Sequence, residues 1–131
     1  MKLSLRSEYA LLALIYMARS DESVGPASLK SIAHSQQIPA ASLAEVLTVL
    51  VCSKHLSCTK GRYQLAVPPE KISVADIIRL FDGAFAPLEP VSEKGYAPAP
   101  MEREQKLTDL FSGLQEQIVC QLENTTLADL S

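Results

Sequence analysis

The 131-residue chain is 47% hydrophobic and 21% charged, a composition that suits one compact globular domain with an appended arm and is too short for two full domains. Its three cysteines follow no framework spacing and fit reduced thiols in a cytoplasm, and no apolar run approaches the roughly 20 residues that span a bilayer, so neither a disulfide-stapled secreted fold nor a membrane role is expected. The net charge of -3 hides an asymmetry: residues 1–83 hold nine Lys/Arg against seven Asp/Glu, or +2, while residues 84–131 hold three against eight, or -5.

Residues 5–20 carry Leu5, Tyr9, Leu12 and Tyr16 at helical spacing, widened by Leu11, Leu14 and Ile15, and predict a well-buried first helix. Lys2 and Arg6 ahead of this run imitate a signal peptide, but Glu8 interrupts it and Tyr16 occupies a position that cleavage after Ala18 would require to be small. After a polar break from Ser20 to Pro26, Ser28 is placed to cap a short helix carrying Leu29, Ile32 and Ala33 that stops near Gln37. Pro39 suits the first turn of a third helix, in which Leu43, Val46, Leu47 and Leu50 repeat every three or four residues before it ends near Ser53. Two short helices joined by a few polar residues predict a helix-turn-helix. Leu56–Thr59 and Arg62–Val67 then alternate around Lys60-Gly61, the pattern of a tight hairpin, which directly after the second helix of the motif is a wing.

Pro68 and Pro69 end the hairpin, and Ser73-Val74-Ala75-Asp76 has the form of a capping box opening an amphipathic helix through Ile77, Ile78, Leu80 and Phe81, closed by Gly83. Four prolines between Ala84 and Pro100 exclude a continuous regular element there. A long helix is expected from about Met101 to Asn124, with Glu102 and Glu104 suiting its positive end. Its stripe of Leu107, Leu110, Phe111, Leu114, Ile118 and Leu122 has little of its own domain left to cover it, so these six are the expected interface of a homodimer. The fold expected is mainly α with a small β-hairpin wing: a winged helix-turn-helix over 1–83, a Pro-rich connection and sensor region over 84–100, and a dimerisation helix and tail over 101–131.

The pieces resemble, in order, the Rrf2 family of bacterial winged-helix transcription regulators. Met1-Lys2-Leu3-Ser4 with Arg6, Tyr9-Ala10-Leu11 and Met17-Ala18 is similar to that family's opening helix, Ser28 to Ala33 to its second, and Ser42-Leu43 to Leu50 to its recognition helix. Tyr63-Gln64-Leu65-Ala66 resembles the end of the wing, Ile72 to Ile78 the fourth helix, and Thr126-Leu127-Ala128-Asp129-Leu130 the tail. The resemblance implies a cytoplasmic homodimer that binds double-stranded DNA at a pseudo-palindromic operator and answers to a small-molecule or protein effector. The chain departs from its relatives in a shorter wing, Cys58 to Arg62, and in Val49, Val51 and Cys52 where many carry basic residues. Many relatives also hold an iron-sulfur cluster on three cysteines in the loop after the fourth helix; here 84–100 contains no cysteine and no histidine, so no cluster and no other cofactor is expected.

Within this frame Lys54, Lys60 and Arg62 are the expected phosphate contacts, with Ser4, Arg6 and Lys30 as further candidates. Ser42 and Glu45 at the start of the third helix, with Gln36 and Gln37 just before it, carry groups suited to base edges, and Thr48 is a further candidate. No phosphate-binding Gly-rich loop, metal-binding His-Glu motif or catalytic constellation is present, so an enzyme is not expected. The competing reading is a winged-helix module that has lost DNA binding and acts through a partner protein.

Overall fold

The computed structural model describes residues 3–19, 25–83 and 104–131. The segment 84–100, expected to connect and to sense, lies outside the described residues, as do positions 101–103 at the expected start of the last long helix.

Helix α1 (Leu5–Arg19) runs against helices α2 (Leu29–Gln36), α3 (Ala40–Cys52) and α4 (Val74–Asp82). Its buried face differs from the one its large side chains suggest. Ser7, Ala10, Ala13, Leu14 and Met17 are buried, whereas Leu5 is 62% exposed and Leu12 37% exposed. The helix is apolar nearly all round, and close packing against neighbouring helices favours the face whose alanines let backbones approach. Leu14 and Met17 supply the bulk, Tyr9, Leu11, Ile15 and Tyr16 pack half-buried at the margin of the core, and of the expected stripe only Leu5 and Leu12 are turned outward.

Each break between elements has a local cause. The Ser28 side chain accepts from the Ser31 amide and caps α2, and Gln37, left-handed at φ 54, ends it by donating its own amide to the Ala33 carbonyl. Pro39, lacking an N–H and held extended, precedes α3 and accepts the first helical bond from the Leu43 amide at 2.9 Å. The chain bends by 118° between α2 and α3, the angle of a helix-turn-helix.

Strands β2 (Leu56–Thr59) and β3 (Arg62–Leu65) form the antiparallel hairpin, with Leu56 facing Leu65 and Thr59 facing Arg62. Lys60 and Gly61 are both left-handed, at φ 53 and 74, so the turn is a two-residue type I′ and the wing ends there. A two-residue strand β1 (Ala27–Ser28) pairs with the other edge of β3, giving a three-stranded sheet of order β1-β3-β2. Sequence patterning did not reveal this strand. A short 3-10 turn (Pro69–Lys71) leads to α4, whose start carries the full capping box between Ser73 and Asp76.

Helix α5 (Gln105–Asn124) has no buried residue. After it the chain turns back: Thr126 and Asp129 form a second capping box on helix α6 (Leu127–Leu130), and Thr126 pairs with Ser73 in an isolated bridge. Leu127 is 0% exposed and belongs to the same core as Leu14, Ile32, Leu43, Leu47, Leu50 and Ile77. The Arg79 guanidinium also pairs with the Glu123 carboxylate, tying α4 to the end of α5.

Candidate nucleic-acid interface

The second helix of the motif is held by one face only. Leu43, Val46, Leu47 and Leu50 are buried, leaving Ala40, Ala41, Glu45, Thr48 and Cys52 exposed on the other side, with Ser42, Ala44 and Val49 half-buried at its margins. An amphipathic helix held this way presents its outer face as a rigid unit, which entry into a major groove demands.

The joint between α3 and the wing is tightly bonded. The Ser53 amide donates to the Val49 carbonyl at 2.9 Å, and the Ser53 hydroxyl donates to the Leu50 carbonyl at 3.0 Å. The same hydroxyl is hydrogen-bonded to His55 Nδ1 at 2.7 Å. Lys54 between them is left-handed at φ 68 and exposed, and its amide donates to the Val51 carbonyl at 3.0 Å. The His55 amide bonds the Leu50 carbonyl, and its carbonyl accepts from Ala66, both at 3.0 Å, which fixes the wing's root against the end of α3.

Lys60 and Arg62 are exposed on the wing, and Arg62 reaches the Pro26 carbonyl at 3.4 Å, across the sheet from its own hairpin. Burial pushes the Tyr63 phenol above its ordinary value, and the Cys58 side chain opposite it adds to the shift by charge and by a hydrogen bond.

The other expected contacts are distributed more widely. Lys30 is exposed in the first turn of α2, and Gln37 is exposed in the turn before α3. The Gln36 amide nitrogen donates to the Leu12 carbonyl at 2.8 Å, bracing α2 against α1. Ser4 and Arg6 belong to a clasp between α1 and α4. The Ser4 hydroxyl accepts from the Ser7 amide at 3.2 Å, the Ser7 hydroxyl donates to the Asp82 carboxylate at 2.9 Å, and the Ser4 amide approaches the same carboxylate at 3.4 Å. Arg6 lies over the Phe81 ring, 5.7 Å from its centroid. Sequence reasoning missed Ala41 and Cys52 on the outer face of α3. Their spacing from Glu45 and Thr48 is the complement of the buried set and could have located them.

A helix-turn-helix with a freely presented second helix and a sheet wing flanked by cations defines a winged-helix DNA-binding protein. The chain belongs to the Rrf2 family of transcription regulators: the family model, described as an iron-dependent transcriptional regulator, matches residues 3–131. The transcriptional regulator CymR of Bacillus subtilis is 30% identical over 134 residues, covering 100% of this chain and 90% of the relative. The crystal structure of Staphylococcus aureus CymR matches with a TM-score of 0.75 at 31% identity, covering 97% and 95% of the two chains. IscR of T. potens matches with a TM-score of 0.70 at 26% identity, over 99% and 85%.

The family's description implies iron, and the donors among the described residues do not fit it. Among the described residues no three His, Cys, Asp or Glu side chains are grouped so as to hold a metal ion. Cys52 ends α3, Cys58 lies in β2 and Cys120 on α5, each exposed on a different element, and the sequence 84–103 adds no thiol or imidazole.

Proposed function

We propose that this regulator binds a pseudo-palindromic operator as a homodimer and does so without an iron-sulfur cluster. The observation that carries the reading is the uncovered face of α5: Leu107, Leu110 and Leu114 are exposed beside half-buried Phe111, Ile118 and Leu122, an apolar stripe that one copy of the chain leaves open to water. Two such stripes packed together would set two winged domains, each built from residues 1–83, on successive major grooves with half-site centres about 10 bp apart. Lys54, Lys60, Arg62 and Lys30 would neutralise phosphates, Ser4 and Arg6 would add backbone contacts from the start of α1, and Gln37, Ser42 and Glu45 would face base edges, while Gln36, bonded to Leu12, would hold the turn in place. An effector acting on the segment 84–100, which links the reading half to α5 in the chain, would shift the population of DNA-competent spacings. The placement of Cys52, Cys58 and Cys120 on three different elements supports a different signal from the one the family description names.

Sedimentation of the purified protein with and without fragments selected from sheared host DNA tests this. A dimer that recovers an inverted repeat with salt-sensitive affinity is the expected result. A folded dimer that enriches no sequence at low salt would favour the protein-contact reading, and a stable monomer would remove the operator geometry.

A further inference from the structure

The outer face of α3 is chemically one-sided. Along it stand Ala41, Glu45, Thr48 and Cys52, with Ala40 at its start and Ala44 half-buried between. Glu45 is the single charge on that face, and an ionised carboxylate only accepts hydrogen bonds. The Thr48 hydroxyl donates its proton to the Ala44 carbonyl at 2.8 Å, which leaves it lone pairs and a methyl group. Apart from the weak thiol donor of Cys52 at the far end, the face offers acceptors and methyls; Ser42, at the margin, is half-buried.

We infer that this face reads cytosine through Glu45 and thymine methyl groups through Ala41 and Thr48, and makes no guanine contact. Guanine shows two acceptors, N7 and O6, in the major groove, so a reader must bring donors, which this face lacks. The groove's donors are cytosine N4 and adenine N6. Adenine N6 stands beside the N7 lone pair, which opposes a carboxylate, whereas cytosine N4 stands beside a C5–H, so an unpaired acceptor favours cytosine. Ala41 and Glu45 are four residues apart and Glu45 and Thr48 three, so the three neighbours on one face cover adjacent base pairs. The cost of bringing a carboxylate near phosphates falls on the cations outside the face, Lys54 after α3 and Lys60 and Arg62 on the wing.

The inference rests on the proposed operator binding, and the test separates the two. The full-length wild-type protein, Glu45→Ala and Glu45→Gln are each used to select from a random duplex library at one salt concentration. Wild type should fix a C·G pair at one position of each half-site. Glu45→Ala should still bind but lose about tenfold discrimination at that position alone, and Glu45→Gln should move the preference to adenine, which glutamine pairs bidentately. Replacing thymine by deoxyuridine at the flanking positions should weaken wild-type binding by about fourfold per methyl. An identical consensus from wild type and both variants, or an A·T pair at the Glu45-dependent position, overturns the inference while leaving operator binding intact. No consensus from wild type overturns both.

Discussion

Under the proposed operator binding, single residues on the wing would decide how firmly, and not where, the protein holds a duplex. Lys60 and Arg62 are exposed on a hairpin whose length is set by one type I′ turn, so their charges are presented with little freedom. Replacing each by alanine should make the log-log salt dependence of binding shallower by about one unit per lost phosphate contact, for all DNA sequences alike. Fluorescence anisotropy across a salt series checks this, and an unchanged slope would take the wing out of the interface. Tyr63 behind the wing gives a second residue-scale expectation. Its phenol is pushed up, chiefly by burial and further by Cys58, so the folded state favours the neutral form. The resulting stability is full below the unfolded value near 10 and is lost as pH rises through the higher folded value. Tyr63→Phe, with no proton to lose, should flatten the alkaline limb of a stability-pH profile measured by urea unfolding, while a limb identical to wild type would assign the alkaline loss to other groups.

Among the elements, the ones that carry the core need not look like core in sequence. Helix α6 spans only Leu127–Leu130, yet Leu127 is completely buried beside α1 and the 3-10 turn, and its amide donates to the Ile72 carbonyl at 3.0 Å. Leu127→Ala should therefore destabilise the chain by about 2–5 kcal/mol, as Leu14→Ala should, rather than by the few tenths typical of a loose tail. Denaturant midpoints of the two variants, compared with wild type, decide it. What was legible in the sequence follows the same division. The inward face of α3, the Lys60-Gly61 turn and the Ser73 capping box are set by local chemistry and could be read directly. The two-residue β1 exists through pairing with β3, which no local pattern encodes, and although Thr126 and Asp129 carry a capping box for α6, its docking beside Ser73 is a long-range pairing. The burial of α1 was legible in Leu14 and in half-buried Tyr9, Leu11, Ile15 and Tyr16, but Leu5 and Leu12 face outward because apolar residues surround the helix and the packed alanines choose its centre face. At the candidate interface, Glu45 and the wing cations are proposals that rest on residue type and exposure. That the Gln36 amide is bonded to α1 emerged once the elements were assembled.

The whole molecule joins a reading half with formal charge +2 to an arm-bearing half with -5, and this division decides how the net -3 is compatible with DNA. Charges beyond about one Debye length, near 10 Å at moderate salt, are screened, so any acids of the C-terminal half held farther than this from a duplex would weaken binding far less than the same acids on the wing. Under the proposed dimer the contribution of α5 would instead be geometric. Leu110 at 56% exposure and Leu114 at 38% lie on α5, where a charge can be introduced without disturbing the buried core. Leu110→Glu with Leu114→Glu should therefore leave helical content and the unfolding transition of the winged half nearly unchanged. Across a two-fold interface the same substitutions would set like charges against each other and halve the sedimenting mass. Because a linked pair of half-sites gains about 10²–10⁴ over a single one, operator affinity should fall by at least about a hundredfold. Single half-sites should still be bound as before. A variant that stays dimeric would place the interface elsewhere on the molecule, and one that becomes monomeric yet keeps full operator affinity would show that one winged domain suffices for recognition.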